Sequence, residues 1–268
     1  MIRINKSNCP HGLNEFRLSN PNATWQDFKN YNGGSAYRAV RDKIFNDQYF
    51  ICAYCEAKIP VNELELLSRV EHFNSKSGTT HGVGINYHLD WGNLLGVCVG
   101  GERDGTIYAL PDNLSCDSHK GHWECKNHFT PEQKNWVGKV LSPLDIPSGH
   151  ILFDFVKSTG GLKANELYCA SVVITGNQLT STTALVEETI KIFNLNCDRL
   201  NRARLEIFHE FSRARAKAAK QNDITPMERL VLQWLRDEPL MFQTTRNILI
   251  RQSAMCMDII NRRGMSFL

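Results

Sequence analysis

Four unevenly spaced cysteines constrain this chain more than any other feature. Cys52-Ala53-Tyr54-Cys55 sets two thiols one tight turn apart, and Cys98 and Cys116 follow at a distance. From residue 49 to about residue 128 helical periodicity disappears, and cysteine, histidine, glycine and asparagine crowd together. Such a segment buries little apolar surface, and small irregular modules of this kind usually need a bound metal to fold. Two thiolates in a CxxC turn converge on one tetrahedral ion, the arrangement of zinc knuckles. A thioredoxin-like redox pair would need a helix beginning at the motif, and Pro60 stops any helix early.

The compartment bears on that choice. No apolar run reaches the roughly twenty residues of a membrane-spanning helix, so no membrane association is expected. Met1-Ile2-Arg3-Ile4-Asn5-Lys6 lacks the apolar core of a signal peptide, which makes the cytoplasm the expected location. Thiols there stay reduced, so clustered cysteines read as metal ligands before disulfides. The total of nine cysteines is also odd. Cys169, Cys197 and Cys256 stand alone in apolar or helical settings and read as small buried hydrophobes; Cys9 is assigned nothing. On spacing alone the fourth ligand stays open between Cys116 and a set containing Cys125, His119, His122 and His128. The net charge of +3 excludes nothing, because a nucleic-acid binder needs a local basic surface rather than a basic sum.

The rest of the chain is mostly helical in pattern. Thr24 is placed to cap a helix starting at Trp25, and residues 35–48 carry Tyr37, Val40 and Ile44 at helical spacing. A short helix is predicted over 131–136, and short strands over 151–156 and 170–174, separated by Gly160-Gly161. Helices follow over 183–193, 197–220, 227–236 (with Pro226 in the first turn) and 242–261. The 197–220 helix carries Arg199, Arg202, Arg204, Arg213, Arg215, Lys217 and Lys220. Charge on a helix is most often simply solvated; the functional alternatives are a surface that grips phosphates or one that docks a partner.

Between the cysteine pairs lie Arg69-Val70-Glu71-His72-Phe73-Asn74-Ser75-Lys76-Ser77 and Asp90-Trp91-Gly92-Asn93-Leu94-Leu95-Gly96-Val97-Cys98, and Cys116-Asp117-Ser118-His119-Lys120-Gly121 follows. In this order, with the CxYCE turn at Cys52–Glu56, the segments resemble the HNH nucleases. The likeness is greatest to the PtuB-like branch, the HNH subunit of Septu and some retron-associated anti-phage systems. It covers about a quarter of the chain, from Cys52 to Gly121, and the order and spacing together are far more specific than any single piece. That branch usually has proline where Ser75 stands, a change that would only loosen the loop.

The resemblance implies a zinc-stapled ββα-metal unit with Cys52, Cys55, Cys98 and Cys116 as the structural Zn2+ ligands. It places His72 at the end of the first strand as general base, where imidazole chemistry suits proton transfer near neutral pH. Glu71 matches a ligand of the catalytic cation, and oxygen ligands suit Mg2+ or Mn2+. Asn93 would bind that cation or orient the histidine backbone. The third catalytic position stays open between Asp117, His119 as a ligand, and Lys120 as a phosphate-neutralising group. His81 and His88 read as structural and Trp91 as core. The expectation is an α+β, mainly helical chain: an N-terminal helical segment (1–48), the HNH module (49–128) and a helical region (129–268) that docks a partner. The resemblance implies an ABC-type ATPase partner, PtuA, a DNA or RNA substrate such as tRNA, and, beside a retron, a reverse transcriptase with its RNA–DNA. The competing expectation is a non-catalytic zinc-binding adaptor in which Glu71 and His72 are incidental.

Overall fold

The computed structural model describes residues 1–74, 76 and 85–267; Ser75 and His81 lie outside the described residues. The chain opens with α1 (His11–Ser19), α2 (Trp25–Asn30) and α3 (Ser35–Asp47). Thr24 caps α2 as its sequence position predicts: its hydroxyl accepts from the Asp27 amide at 3.2 Å, and the Asp27 carboxylate accepts from the Thr24 amide at 2.8 Å. Leu13, Phe16, Trp25 and Phe28 bury together with Val40 and Ile44 of α3 and with Leu89, Trp91 and Leu94 from farther along. Trp91 is thus a core residue, as expected, with its indole N–H donating to the Ser7 carbonyl at 2.8 Å.

After a single turn, α4 (Leu64–Leu67), comes β1 (Ser68–His72), paired antiparallel with β2 (Leu94–Cys98). The register sets Glu71 opposite Leu95 and His72 opposite Leu94. The outer edge of β2 is satisfied by side chain rather than strand. Buried Gln48 accepts from the Gly96 amide at 2.8 Å and donates to the Gly96 carbonyl at 2.7 Å, while the Ala53 amide donates to the same carbonyl at 3.0 Å. Glycine is required there, because a Cβ on Gly96 would stand 2.6 Å from the Phe45 ring of α3. The helix α5 (Cys116–Lys126) packs on β2 and completes a strand–strand–helix unit.

The remaining elements are β3 (Phe153–Val156), β4 (Gly161–Ala164), α6 (Glu166–Ser171), α7 (Thr182–Ile192), α8 (Asp198–Gln221), α9 (Thr225–Trp234), α10 (Gln243–Arg251) and α11 (Ala254–Arg263). Three expectations are corrected. Residues 131–136 form turns, where the Asn135 carboxamide takes the Val137 amide at 3.1 Å and competes with helix growth. The second strand is Gly161–Ala164, hairpinned directly onto β3. Residues 170–174 instead follow and partly complete α6, which starts where the Asn165 side chain caps the Tyr168 amide. The last helix breaks in two at Gln252-Ser253, and the Ser253 hydroxyl restarts it by accepting from the Cys256 amide.

One continuous core runs from Phe45 and the Cys52–Cys55 turn through Leu95, Val97 and Cys116 to α7–α11. Tyr54 of the turn stacks on Phe193 with centroids 3.9 Å apart. Glu56 is 2% exposed, and its carboxylate takes the Thr244 amide at 2.8 Å, in the first turn of α10. It also takes the Thr244 hydroxyl and pairs with the Met1 amino group at 2.6 Å. The glutamate of the CxYCE turn is therefore a helix cap that fastens the cysteine turn to the C-terminal helices. Among the described residues, no helix is long and apolar enough to cross a membrane.

Candidate functional site

Cys52 and Cys55 flank a turn held by the Glu56 amide donating to the Cys52 carbonyl at 3.0 Å. Cys98 ends β2, and Cys116 opens α5 at a φ of 56°, a left-handed conformation unusual for a side chain with a Cβ. Closure of the 99–115 loop brings the last two together. The Ser115 amide donates to the Gly100 carbonyl at 2.8 Å, an approach so close that a Cβ on Gly100 would meet the Ser115 carbonyl at 2.2 Å.

All four sulfurs fall within 4.8 Å of one another. Cys52–Cys116 and Cys55–Cys98 are 3.7 Å apart, and Cys98–Cys116 is 3.8 Å. A disulfide is about 2 Å long, so these are not bonded pairs. A tetrahedral zinc with bonds of about 2.3 Å has ligand–ligand edges of about 3.8 Å, and the cluster fits that edge length. The four cysteines can thus hold a structural metal. Burial, followed by the hydrogen bonds shared with the other three thiols, pushes the Cys116 thiol well above the usual range. Cys125, by contrast, is exposed.

On the same scaffold, β1 and α5 frame a second cluster. Asp117, Lys120, Gly121 and Glu124 lie on one face of α5, and with Arg69, Glu71, His72, Lys76 and Lys134 they line an open cleft of about 360 Å³. The Lys120 ammonium pairs with the Glu71 carboxylate and, at 3.2 Å, with Asp117. Burial raises the Glu71 carboxyl to about 7; Lys120 opposes the shift, and Asp117 adds to it by charge and by a hydrogen bond between the carboxyls. Lys120 itself is held above its ordinary value, because Glu71 and Asp117 outweigh its burial.

His72 is 5% exposed and packs edge-on against Trp25, centroids 4.8 Å apart. Its Nε2 lies 3.1 Å from the His88 carbonyl. A carbonyl only accepts, so Nε2 carries the proton and Nδ1 is left as the basic nitrogen. Burial, then the Lys76 charge, lowers the imidazole to about 3, which keeps it neutral near pH 7. His88 has the structural part expected of it: its ring accepts from the Trp25 amide at 3.0 Å and so ties the residues before β2 to α2.

Two sequence expectations change at this point. Asn93 is 2% exposed and its carboxamide is fully engaged by backbone. It accepts from the Asn74 amide at 2.6 Å and donates to the Asn74 carbonyl at 3.1 Å and the Tyr87 carbonyl at 2.9 Å. Of the two roles left open for it, the geometry is that of orienting the backbone after His72 rather than of holding a cation. His119 turns away from the cleft, with Nδ1 on the Ile192 carbonyl at 2.9 Å, and is not placed to be a ligand there. Lys134 and Glu124 were missed as cleft residues. Glu124 was legible in the i, i+3, i+4, i+7 spacing from Asp117; nothing local marks Lys134, which arrives by tertiary packing.

The comparisons with known proteins bear on this arrangement. A candidate HNH endonuclease of retron Ec83 from Escherichia coli is 44% identical over 262 residues, 97% of this chain and 98% of that protein. The chain belongs to the retron-associated HNH endonuclease family. A second candidate HNH endonuclease, of retron Vc95 from Vibrio cholerae serotype O1 biovar El Tor, is 28% identical over 130 residues, 44% of this chain and 60% of that protein. No family model matches the chain. In this chain the strand pair β1–β2 and the helix α5 carry one carboxylate–imidazole edge and one four-cysteine centre.

Proposed function

We propose that the chain is a metal-dependent HNH endonuclease that hydrolyses nucleic-acid phosphodiester bonds in retron-linked anti-phage defence. The observation that carries the reading is the meeting of Glu71 and His72 at the end of β1 with Asp117 and Lys120 of α5 in one open cleft. In this reading β1, β2 and α5 are a ββα-metal unit, stapled by Zn2+ on Cys52, Cys55, Cys98 and Cys116. Glu71, with Asp117 beside it, holds Mg2+ or Mn2+, a choice that suits hard oxygen donors. When bound, the cation supplies charge stabilisation at the phosphate and the leaving oxygen. His72 takes the proton from the attacking water on Nδ1, while the His88 carbonyl fixes the ring through Nε2. Lys120, Lys76 and Lys134 add positive charge along the path of an anionic backbone.

His72 lines the cleft with only 5% of its surface exposed, edge-on against Trp25, which supports gating: a shift of its surroundings would open the base further to the attacking water. In this proposal the gate is worked by an ABC-type ATPase of the PtuA kind docked on the helices after residue 129, with a retron reverse transcriptase and its RNA–DNA in the same system. Labelled DNA and tRNA are incubated with zinc-loaded protein and Mg2+ or Mn2+, with and without the ATPase. Cleavage by wild type and none by His72→Ala supports the reading. Zinc-loaded wild type that cuts neither substrate under any of these conditions returns the chain to the adaptor reading.

A further inference from the structure

The basic helix α8 was expected to present its cations outward, and it does not present all of them. Arg202, Arg213, Arg215, Lys217 and Lys220 are exposed, but Arg204 is 1% exposed and Arg199 is half-buried. Arg204 has only long polar contacts, Nη1 to the Gly160 carbonyl at 3.5 Å and to Asn201 Oδ1 at 3.3 Å. Among the described residues no carboxylate stands at ion-pair distance from it. Its guanidinium lies over the Phe242 ring, and the Phe242 amide donates to the Glu56 carbonyl beside Cys55. Glu56 itself is already matched by the Met1 amino group and Thr244.

Arg199 sits against the two stems of the 99–115 loop. Nη2 donates to Ser115 Oγ at 2.8 Å, next to Cys116. Nε is buried without a hydrogen bond, 3.3 Å from Asp104 Oδ2. A Cβ on Gly101 would come within 2.8 Å of that Nε, so the loop is shaped to admit the guanidinium.

A buried charge without a partner costs several kcal/mol. Four thiolates around a divalent cation carry a net charge of roughly −2. A centre of that charge, reached from Arg204 through Phe242 and Glu56 and from Arg199 through Ser115, would supply the counter-charge. Burial lowers Arg204 to about 10, and the negative groups opposing the shift are Cys55, Glu56, Cys197 and Cys116.

We propose that Arg204 and Arg199 are the counter-ions of the four-cysteine metal centre, so that metal occupancy and the docking of α8 stabilise each other. The inference rests on the reading that the four sulfurs hold a divalent cation. Both arginines are positioning residues, because they act on the metal through charge rather than by ligation.

The test uses the zinc-loaded full chain, with zinc retention read by competition against a chromogenic chelator. Arg204→Met is expected to hold zinc about 10–100-fold more weakly, the usual size of an outer-shell effect. Arg204→Lys, which keeps the charge, falls nearer to wild type, and Arg199→Gln gives a smaller loss because Asp104 already pairs with it. Melting of the zinc-loaded proteins supplies a second reading: Arg204→Met lowers the midpoint, and Arg204→Lys lowers it less. Equal zinc retention in all three variants and wild type would overturn the proposal, as would equal losses in the Met and Lys variants, which would make Arg204 a packing residue. Wild type purified without zinc, and unable to take it up, would remove the centre itself and fail the underlying reading instead.

Discussion

The four-cysteine centre and the Glu71 cleft share the β1–β2–α5 scaffold and solve the problem of buried charge in opposite ways. At the centre, four like ligands are brought to 3.7–3.8 Å contacts, and the Gly100 amide donates to Cys98 Sγ at 3.4 Å, but no cationic side chain of the described residues stands among them. Nothing inside the cluster neutralises four thiolates, so the geometry makes sense around a cation. In the cleft, Glu71 and Asp117 already have a cation, the Lys120 ammonium. The first arrangement has no cation of its own, and the second already sets one ammonium against two carboxyls. On the proposed function, a protein built this way would depend on one metal to stand and on the other only to act.

The largest effect should therefore come from breaking the centre. Cys55→Ser is expected to lose zinc, and with it the packing of the Tyr54–Phe193 stack and the Glu56 cap on α10. Elemental analysis should read no zinc, and circular dichroism should show loss of cooperative melting. Full zinc content in this variant would contradict the ligand set. In the cleft the same kind of truncation should spare the fold. His72→Ala is expected to lower cleavage by about 10²–10⁴-fold, the span of a lost general base, at unchanged zinc content and with cooperative melting retained at a midpoint lowered by the lost packing on Trp25. His119→Ala, on the other face of α5, should leave cleavage as it was. A His72→Ala protein that unfolds would show that the contrast between the two sites is false.

The same contrast explains what the sequence made legible. The Cys52–Cys55 pair leaves a pattern in one dimension, whereas Cys116 as fourth ligand and the parts of Glu71 and His72 were legible only through the resemblance to the HNH nucleases. Helix periodicity likewise revealed α3, α7, α8 and α9 to within a few residues. What escaped was decided by partners distant in sequence. Asn93 reads as either a ligand or an orienter of the histidine backbone by its place in a motif, and only the Asn74 and Tyr87 backbone groups around it show that its carboxamide is engaged. Glu56 reads as part of a metal motif and turns out to cap a helix that begins at Gln243. Arg204 reads as surface on a charged helix and is among the most buried side chains in the molecule. The predicted strand at 170–174 failed because apolar residues beside a turn fit either a strand or the edge of a helix, and the Asn165 cap chose the helix.

Asn93 offers a finer test of where framework ends and cleft begins. Truncation to alanine leaves three part-buried backbone groups, the Asn74 amide and carbonyl and the Tyr87 carbonyl, without their bonds, and stability should fall by about 1–3 kcal/mol in urea unfolding. Mn2+ affinity of the folded variant should be nearly unchanged. The reverse result, unaltered stability with lost Mn2+ binding, would make Asn93 a ligand and move it from the frame into the site.

The smallest effect separates the two metals by pH. Glu71 titrates at about 7 in the folded chain against an ordinary value of 4.5, chiefly because it is buried. The folded state therefore holds a proton there that the unfolded chain releases sooner. That contribution to stability is complete below about pH 4.5 and is lost as pH rises through about 7. A cation at Glu71 must compete with that proton. Below about pH 7, Mn2+ affinity should fall by up to about tenfold per pH unit, and above it the affinity should level off. Calorimetric titration of zinc-loaded His72→Ala with Mn2+, from about pH 6 to about pH 8, reads this directly. Glu71→Gln should bind Mn2+ more weakly and without the slope. If the slope persists in that variant, the proton that competes with the cation belongs to another group, and Glu71 is not the carboxylate that sets the entry of metal into the cleft.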